Sequence, residues 1–232
     1  MNGLFTKELI QAISDWQRGG DAKQKKRRGE ALKAEAVKLP EKFRSTRAEC
    51  FRQIALDGKH LIRLGCEYQL FETLSSWTKS KCVAKDFKGG VPPEGWQGVI
   101  FNIKPTEECV ILDISSLFDD AEFVGALGKF RNEIVGISDG IGKYGSSQYE
   151  VVIEIENLPL ESLAFWGGYS SSEHELATIW YDHEPDQDEI ERFRSLMIEA
   201  DAQVGPRWLS GEEAVERVNE KLKYHSKRLT TQ

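Results

Sequence analysis

Apolar side chains recur at helical spacing at the start of the chain. The repeating positions, three to five residues apart, are Leu4, Leu9, Ile13 and Trp16. This spacing predicts an amphipathic helix that ends at Gly19 and Gly20. Asp21 is suited to cap a second helix over 22–38, which Pro40 would stop. The first forty residues are therefore predicted to be helical.

From residue 49 onward, short runs rich in Val, Ile and Phe replace the helical pattern. The predicted strands, bounded by Gly, Pro or Asp, are 50–56, 61–64, 71–77, 98–104, 109–114, 150–156 and 162–166. Short helices are predicted at 79–87, 120–131, 172–181, 186–200 and 210–223. Because regular helices do not separate the strands, the predicted fold class is α+β with a largely antiparallel sheet. The predicted division is a helical region, 1–48, followed by one larger domain, 49–232.

Composition excludes several other classes of protein. The chain is 40% hydrophobic and 30% charged, which is too apolar for a disordered protein. No apolar run approaches the roughly 20 residues that a transmembrane helix needs. Lys7, Glu8 and Asp15 stand where an export signal would be apolar. These features predict a cytoplasmic protein without a membrane partner.

The cysteines point the same way. They are scattered without a C-x-x-C pair, at Cys50, Cys66, Cys82 and Cys109. The four histidines do not cluster near them. We therefore expect neither a metal site nor a disulfide framework, which is typical of a reducing cytosol.

The net charge of −7 is an average over unlike parts. Residues 1–47 hold twelve Lys and Arg against six Asp and Glu, a local charge of +6, which leaves −13 for the rest. Much of the excess base lies in 23–28, whereas 173–201 has ten acidic residues and two Arg. A basic segment on an acidic body is either a solvated helix face or a surface for a polyanionic partner.

A segment with four glycines, 136–147, precedes the most strand-like part of the sequence. It is predicted to be a mobile loop that approaches a ligand. It is not a nucleoside-triphosphate loop, because Tyr144 follows Lys143 where that motif needs Ser or Thr, and a strand follows where it needs a helix.

Three further segments carry candidate chemistry. Arg52 lies within an alternating strand, Ser75-Ser76-Trp77-Thr78 ends another, and Gln148-Tyr149-Glu150 opens a third. Each has an ordinary explanation taken alone: a surface arginine, a helix cap and an exposed strand end.

Taken in order, Arg52, then Ser76-x-Thr78, then Gln148-x-Glu150 after a glycine-rich segment, the chain resembles the mono-ADP-ribosyltransferase family. The resemblance covers roughly residues 49–166. Two positions depart from the family pattern, because Trp77 stands where Thr is usual and Gln148 where Glu is frequent. The resemblance implies an ADP-ribosyltransferase-like fold for the larger domain and NAD as the substrate, without a metal.

The resemblance also implies roles for individual residues. Arg52 would grip the NAD pyrophosphate and brace the site, because a guanidinium binds phosphate with paired hydrogen bonds. Glu150 would stabilise the positive charge that builds on the ribose as the bond to nicotinamide breaks. Ser76 would position Glu150 or the nicotinamide ribose. Gln148, two residues earlier and expected on the same strand face, would orient the acceptor together with Tyr144.

Supporting cofactor contacts are expected from Ser75 and Thr78, with Trp77 or Phe87 stacking on the nicotinamide ring, although either aromatic is also a natural core residue. Family members with Gln at the position of Gln148 generally do not modify arginine.

Other assignments of these roles exist in the sequence. Glu154 lies on the predicted strand face of Glu150 and is one alternative. Glu173-His174-Glu175 has the E-x-E spacing of the family motif, but its sequence is typical of a helix start. Arg44 and Arg47 are the alternatives to Arg52, but they lie in a polar segment.

The resemblance extends to toxins of toxin–antitoxin and phage-defence systems, which act in the cell that makes them. The acceptor is expected to be RNA, with a protein side chain other than arginine, or water in simple NAD hydrolysis, as alternatives. The basic N-terminal region would dock RNA through its phosphates or bind an acidic antitoxin. A protein that keeps the fold but only binds is the hypothesis from another class.

Overall fold

The computed structural model describes residues 3–57, 67–93, 96–159, 162–168, 173–200 and 207–210. Its helices are α1 (Lys7–Gln17), α2 (Ala22–Ala36), α3 (Lys81–Asp86), α4 (Ile114–Phe118), α5 (Ala121–Phe130), α6 (Ile141–Tyr144), α7 (Glu173–Tyr181) and α8 (Gln187–Glu199). Its strands are β1 (Cys50–Asp57), β2 (Tyr68–Gln69), β3 (Leu74–Thr78), β4 (Trp96–Ile103), β5 (Val110–Asp113), β6 (Glu150–Glu154), β7 (Asn157–Leu158), β8 (Leu163–Gly168) and β9 (Arg207–Ser210). The chain is thus α+β, as predicted.

Both N-terminal helices were predicted correctly, and local hydrogen bonds explain where they begin. The Thr6 hydroxyl accepts from the backbone N–H of Leu9 at 3.2 Å. Asp21 and Gln24 form a reciprocal capping box at the start of α2. Gly19 and Gly20 then take positive φ values of 65° and 124°, which suits residues without a Cβ and ends α1.

The strands predicted at 50–56, 71–77, 98–104, 109–114, 150–156 and 162–166 are confirmed in place but not at every boundary. β3 begins at Leu74 rather than residue 71, and Phe71 ahead of it is 73% exposed. Ser210 was predicted to open a helix, but it is the last residue of β9. The rest of that helix and the strand predicted at 61–64 lie outside the described residues.

The chain divides into two compact units. Unit 1 contains residues 1–52, 64–84 and 102–162. Its strands lie in the order β5, β6, β3, β1, with β2 and β7 forming a separate pair. The N-terminal region therefore belongs to the same unit as the strands that carry the candidate residues.

Unit 2 contains residues 53–63, 85–101 and 163–232. There the second part of β1 is followed by β4, β8 and β9 in that order. The strand pairs with described registers in either unit are antiparallel, which confirms the predicted sheet type. None of the helices in the described part of the chain has the length and apolarity to cross a membrane.

The main core of unit 1 joins the N-terminal helices to the sheet. Its fully buried side chains come from α1, α2 and the elements that follow β4: Leu9, Ile10, Ile13, Leu32, Leu112, Ile114, Leu117, Phe123 and Val152. Burial of each such side chain contributes about 1.5–3 kcal/mol. The two helices are therefore structural members of the unit, although α2 is strongly polar.

The glycine-rich segment differs from the predicted mobile loop. It forms a 3₁₀ turn, Ile137–Asp139, and then the short helix α6. Gly140 packs against α1, where a Cβ would come within 2.3 Å of the Ser14 carbonyl oxygen. The glycine therefore permits close packing, and Ile141 is buried beside it.

A pair of substitutions tests whether α2 is part of the core. Leu32 is 0% exposed, so Leu32→Ala is expected to lower the free energy of unfolding by about 2–5 kcal/mol. Val37, just past the helix, is 66% exposed, and Val37→Ala is expected to change it by less than about 0.5 kcal/mol. Urea unfolding followed by circular dichroism measures both. Equal effects would show that α2 does not pack as described.

Candidate active site

The pairing of β3 with β6 brings Ser76 and Glu150 together. Thr78 lies opposite Glu150, and Ser76 lies opposite Val152. Because side chains alternate between the faces of a sheet, Ser76 and Glu150 share a face as diagonal neighbours. The Ser76 hydroxyl donates to Oε1 of Glu150 at 2.5 Å. The serine and the glutamate predicted to act together are therefore in direct contact.

The end of helix α1 supplies two more donors to the same carboxylate. The indole Nε1 of Trp16 donates to Oε1 of Glu150 at 2.9 Å and to the Ser76 hydroxyl oxygen at 3.0 Å. Nε2 of Gln17 donates to Oε2 of Glu150 at 2.8 Å. Sequence reasoning missed both contacts. The available signal was an indole and an amide just before a glycine pair, but Trp16 also fits the apolar face of an ordinary helix.

Arg52 braces the other side of Ser76. Its Nη1 donates to the Ser76 carbonyl oxygen at 2.9 Å, and its Nη2 donates to Glu72 Oε2 at 3.3 Å. Its Nε is buried and has no hydrogen-bond partner among the described residues. Lys25 of α2 donates to the second oxygen of Glu72 at 2.6 Å. The basic helix therefore contributes a charge to the support of Arg52.

Burial and charge act in opposite directions on this ion-pair cluster. Burial lowers the pKa of Arg52, whereas the Glu72 carboxylate raises it. Burial by itself would raise the pKa of Glu72, but the hydrogen bond and charge of Lys25, together with Arg52, outweigh it and leave that pKa below its usual value. Glu72 thus stays ionised at neutral pH and holds both cations.

Glu150 differs from Asp113 and Glu154 because its described partners carry no charge. Both oxygens of Asp113 accept from Lys79, and both oxygens of Glu154 accept from Lys33. Glu150 is only 6% exposed and accepts from an indole, an amide and a hydroxyl. A buried carboxylate held by neutral donors keeps its negative potential available for positive charge on a ligand.

The remaining residues of the serine segment lie elsewhere. Ser75 and Trp77 are buried, and the Trp77 indole donates to the Ser75 hydroxyl at 3.0 Å. Alternation places them on the face of β3 opposite Ser76. The Thr78 hydroxyl donates to the Gln148 carbonyl oxygen at 2.7 Å. The structure therefore does not bring Ser75 or Trp77 to Glu150, while Thr78 anchors the segment that leads into it.

The segment before Glu150 is not a regular strand. Tyr149 has a φ of 47° and is 51% exposed, so β6 begins at Glu150. The alternation that predicted a shared face for Gln148 and Glu150 therefore does not extend to Gln148. Lys79 N–H donates to the Tyr149 carbonyl oxygen at 3.0 Å, which helps to hold this left-handed residue. Tyr144, at the end of α6, is half-buried.

Phe87 lies in unit 2 and is 46% exposed. Of the alternative assignments, Arg44 donates to the Leu39 carbonyl oxygen and Arg47 is exposed. Glu173 forms two hydrogen bonds with Arg194.

Within the described ranges, no group of three or more His, Cys, Asp or Glu side chains could hold a metal ion. Comparison with protein-family models, with curated proteins and with solved structures finds no match to this chain. The geometry around Glu150 is therefore the main indication of function in this chain.

Titration of Glu72 tests the support that α2 gives to the site. In ¹³C NMR its carboxyl should titrate below the ordinary glutamate value of about 4.3. Lys25→Met should raise that midpoint, because it removes a hydrogen bond and a positive charge. Lys23→Met, on an exposed neighbour, is the control and should leave it unchanged.

The same shift has a consequence for stability. Because the pKa of Glu72 is lower in the folded chain, its ion pairs stabilise the fold above the unfolded-state pKa. That contribution is lost as the pH falls through the folded-state pKa.

In the NMR titration, a Glu72 midpoint that does not respond to Lys25→Met would contradict the contact between Lys25 and Glu72.

Proposed function

We propose that this protein is an NAD-dependent mono-ADP-ribosyltransferase in which Glu150 stabilises the reacting ribose. The observation that carries the proposal is a buried carboxylate with no cationic partner among the described residues, in contact with Ser76. Arg52 lies on the other side of Ser76. These are the residue types, in the same chain order, that the resemblance to this family requires.

The chemistry explains why such a carboxylate would be needed. As the bond between nicotinamide and ribose breaks, its electron pair leaves with nicotinamide, and positive charge develops on the ribose. Fixed negative potential from Glu150 would lower the energy of that state. The acceptor then forms the new bond to the anomeric carbon and releases a proton to solvent. Arg52 would bind the pyrophosphate after exchanging part of its present hydrogen bonding.

RNA is the acceptor that we propose. Lys23, Lys26 and Arg27 are exposed on α2 and carry no ion pair with any described residue. Such a row of cations suits phosphates. Tyr149 is exposed directly beside Glu150, where an aromatic ring could stack on a base. Gln148 in place of Glu argues against an arginine acceptor. Tyr144 and Gln148 would assist acceptor recognition.

The proposed setting is cytoplasmic, as a toxin of a toxin–antitoxin or phage-defence system. An acidic antitoxin would then compete with RNA for the same cations. A non-arginine side chain of a protein is the alternative acceptor.

A second candidate function is supported by the burial of Glu150. With 6% exposure, the carboxylate is covered on the side of α1, as expected for a protein that keeps the fold but only binds a partner. Release of nicotinamide from NAD separates the two functions, because a binding protein would release none.

The catalytic assignment is tested with Glu150→Gln. Labelled NAD is incubated with the protein and a cell extract, and label transfer and free nicotinamide are measured. Loss of the negative charge should lower both rates by about 10²–10³-fold. Glu154→Gln is the matched control on the same strand, since Glu154 is paired with Lys33, and it should keep activity near wild type. Equal rates for Glu150→Gln and wild type would refute the assignment.

The RNA proposal is tested by charge reversal on α2. Lys26→Glu with Arg27→Glu should reduce RNA labelling, and the slope of log affinity against log salt should fall by about 1 for each lost phosphate contact. Lys104→Glu with Lys129→Glu changes net charge equally at other exposed sites of unit 1. If both double variants reduce RNA labelling equally, the effect comes from the net charge and not from the cations of α2. Label that resists nuclease but not protease would identify a protein acceptor instead.

A further inference from the structure

The last turn of α1 places two adjacent side chains on one carboxylate. Trp16 Nε1 lies 2.9 Å from Oε1 of Glu150, and Gln17 Nε2 lies 2.8 Å from Oε2. With Ser76 also donating to Oε1, that oxygen is held by α1 and β3, and Oε2 is held by α1. A carboxylate held in this way cannot rotate about its last side-chain bond without breaking hydrogen bonds.

One oxygen of the Glu150 carboxylate can still accept a hydrogen bond from a ligand. A carboxylate oxygen has two lone pairs. Oε1 of Glu150 already accepts from two groups, whereas Oε2 accepts from Gln17 alone among the described residues. Oε2 is therefore the oxygen that can accept from a ribose hydroxyl.

Gln17 itself has an unused buried acceptor. A carboxylate can only accept, so the amide nitrogen of Gln17 must face Glu150 and its oxygen must face away. That Oε1 atom is buried without a partner in the described part of the chain. Buried acceptors without partners are uncommon and call for an explanation. Among the described residues, the side chain of Gln17 thus makes its hydrogen bond to Glu150 alone.

Helix α1 is fixed in this position by packing from several sides. Ile10 and Ile13 are fully buried in the core of unit 1. A Cβ on Gly140 would meet the Ser14 carbonyl oxygen at 2.3 Å, and one on Gly29 would meet the Trp16 ring at 3.2 Å. Removing the helix from Glu150 would expose much of the core. The contacts are therefore a permanent part of the site.

We propose that Trp16 and Gln17 are positioning residues that hold the Glu150 carboxylate in its reactive orientation. This inference rests on the proposed function, because it assigns the two residues to the same reaction. They act through Glu150, so their loss should reduce the rate of bond breaking more than the binding of NAD.

The test uses variants that remove the donors and keep the bulk. Trp16→Phe removes the indole N–H, and Gln17→Met removes the amide. Each should lower kcat for nicotinamide release about 10–100-fold while KM for NAD changes less than about twofold. Gln11→Met is the matched control, because Gln11 lies on the same helix and exchanges two hydrogen bonds with the Val135 backbone. It should keep wild-type kcat.

Thermal unfolding of all three variants shows whether a loss of kcat follows from a loss of fold. Full kcat in both Trp16→Phe and Gln17→Met would overturn the positioning role. A rate above wild type would also overturn it, because the pair would then obstruct Glu150. A kcat loss in Gln11→Met as large as in the other two variants would show that general destabilisation causes the losses, and it would also overturn the positioning role.

An NMR measurement separates this inference from the proposed function. The indole N–H resonance that disappears in Trp16→Phe belongs to Trp16, and Glu150→Gln should shift it, because its acceptor loses charge. An unshifted resonance would overturn the contact. A shifted resonance in a wild-type protein that releases no nicotinamide would overturn the proposed function and leave the contact standing.

Discussion

A carboxylate buried without a cation is the constraint on which unit 1 depends. Removing such a charge from water is costly unless hydrogen bonds replace its hydration. For Glu150 those bonds come from Ser76 on a neighbouring strand and from Trp16 and Gln17 on a helix more than a hundred residues away in the sequence. The helix must therefore be held firmly, and Leu9, Ile10 and Ile13 pack it into the core. Packing of α1 on the core thus also places Trp16 and Gln17 beside Glu150.

The cations of α2 have two roles, because only some of them lie close to carboxylates of unit 1. Lys25 and Lys33 neutralise Glu72 and Glu154, which lie beside the sheet face on which α2 packs, and Lys25 thereby supports Arg52. Lys26 and Arg27 point into solvent instead. Helix α2 thus stabilises the unit with part of its positive charge and leaves the rest for an anionic partner. This division explains why a charge count could not decide between a solvated face and a binding surface.

Much of the fold followed from local patterns, because helical spacing and strand alternation are properties of neighbouring residues. The antiparallel sheet was predictable in this way, whereas the link between Ser76 and Glu150 was expected from the resemblance to a known family. Predictions from local patterns were wrong where the tertiary structure imposes a different backbone conformation or packing. The glycines near 140 were expected to give mobility, yet Gly140 permits close contact with Ser14. Strand alternation was carried back to Gln148, but the left-handed backbone of Tyr149 interrupts it.

By itself, the sequence determined the fold class, the positions of most of the longer helices and strands and the residue types that resemble an ADP-ribosyltransferase site. Only the tertiary structure decided that Asp113 and Glu154 are paired with lysines, whereas the buried Glu150 has neutral partners among the described residues. It also decided that Trp16 and Gln17 belong beside Glu150. The physical reason is that hydrogen bonds and ion pairs depend on distances between atoms, and the residues concerned are far apart along the chain. Nothing in the pattern around Trp16 distinguishes a core residue from one that holds a carboxylate.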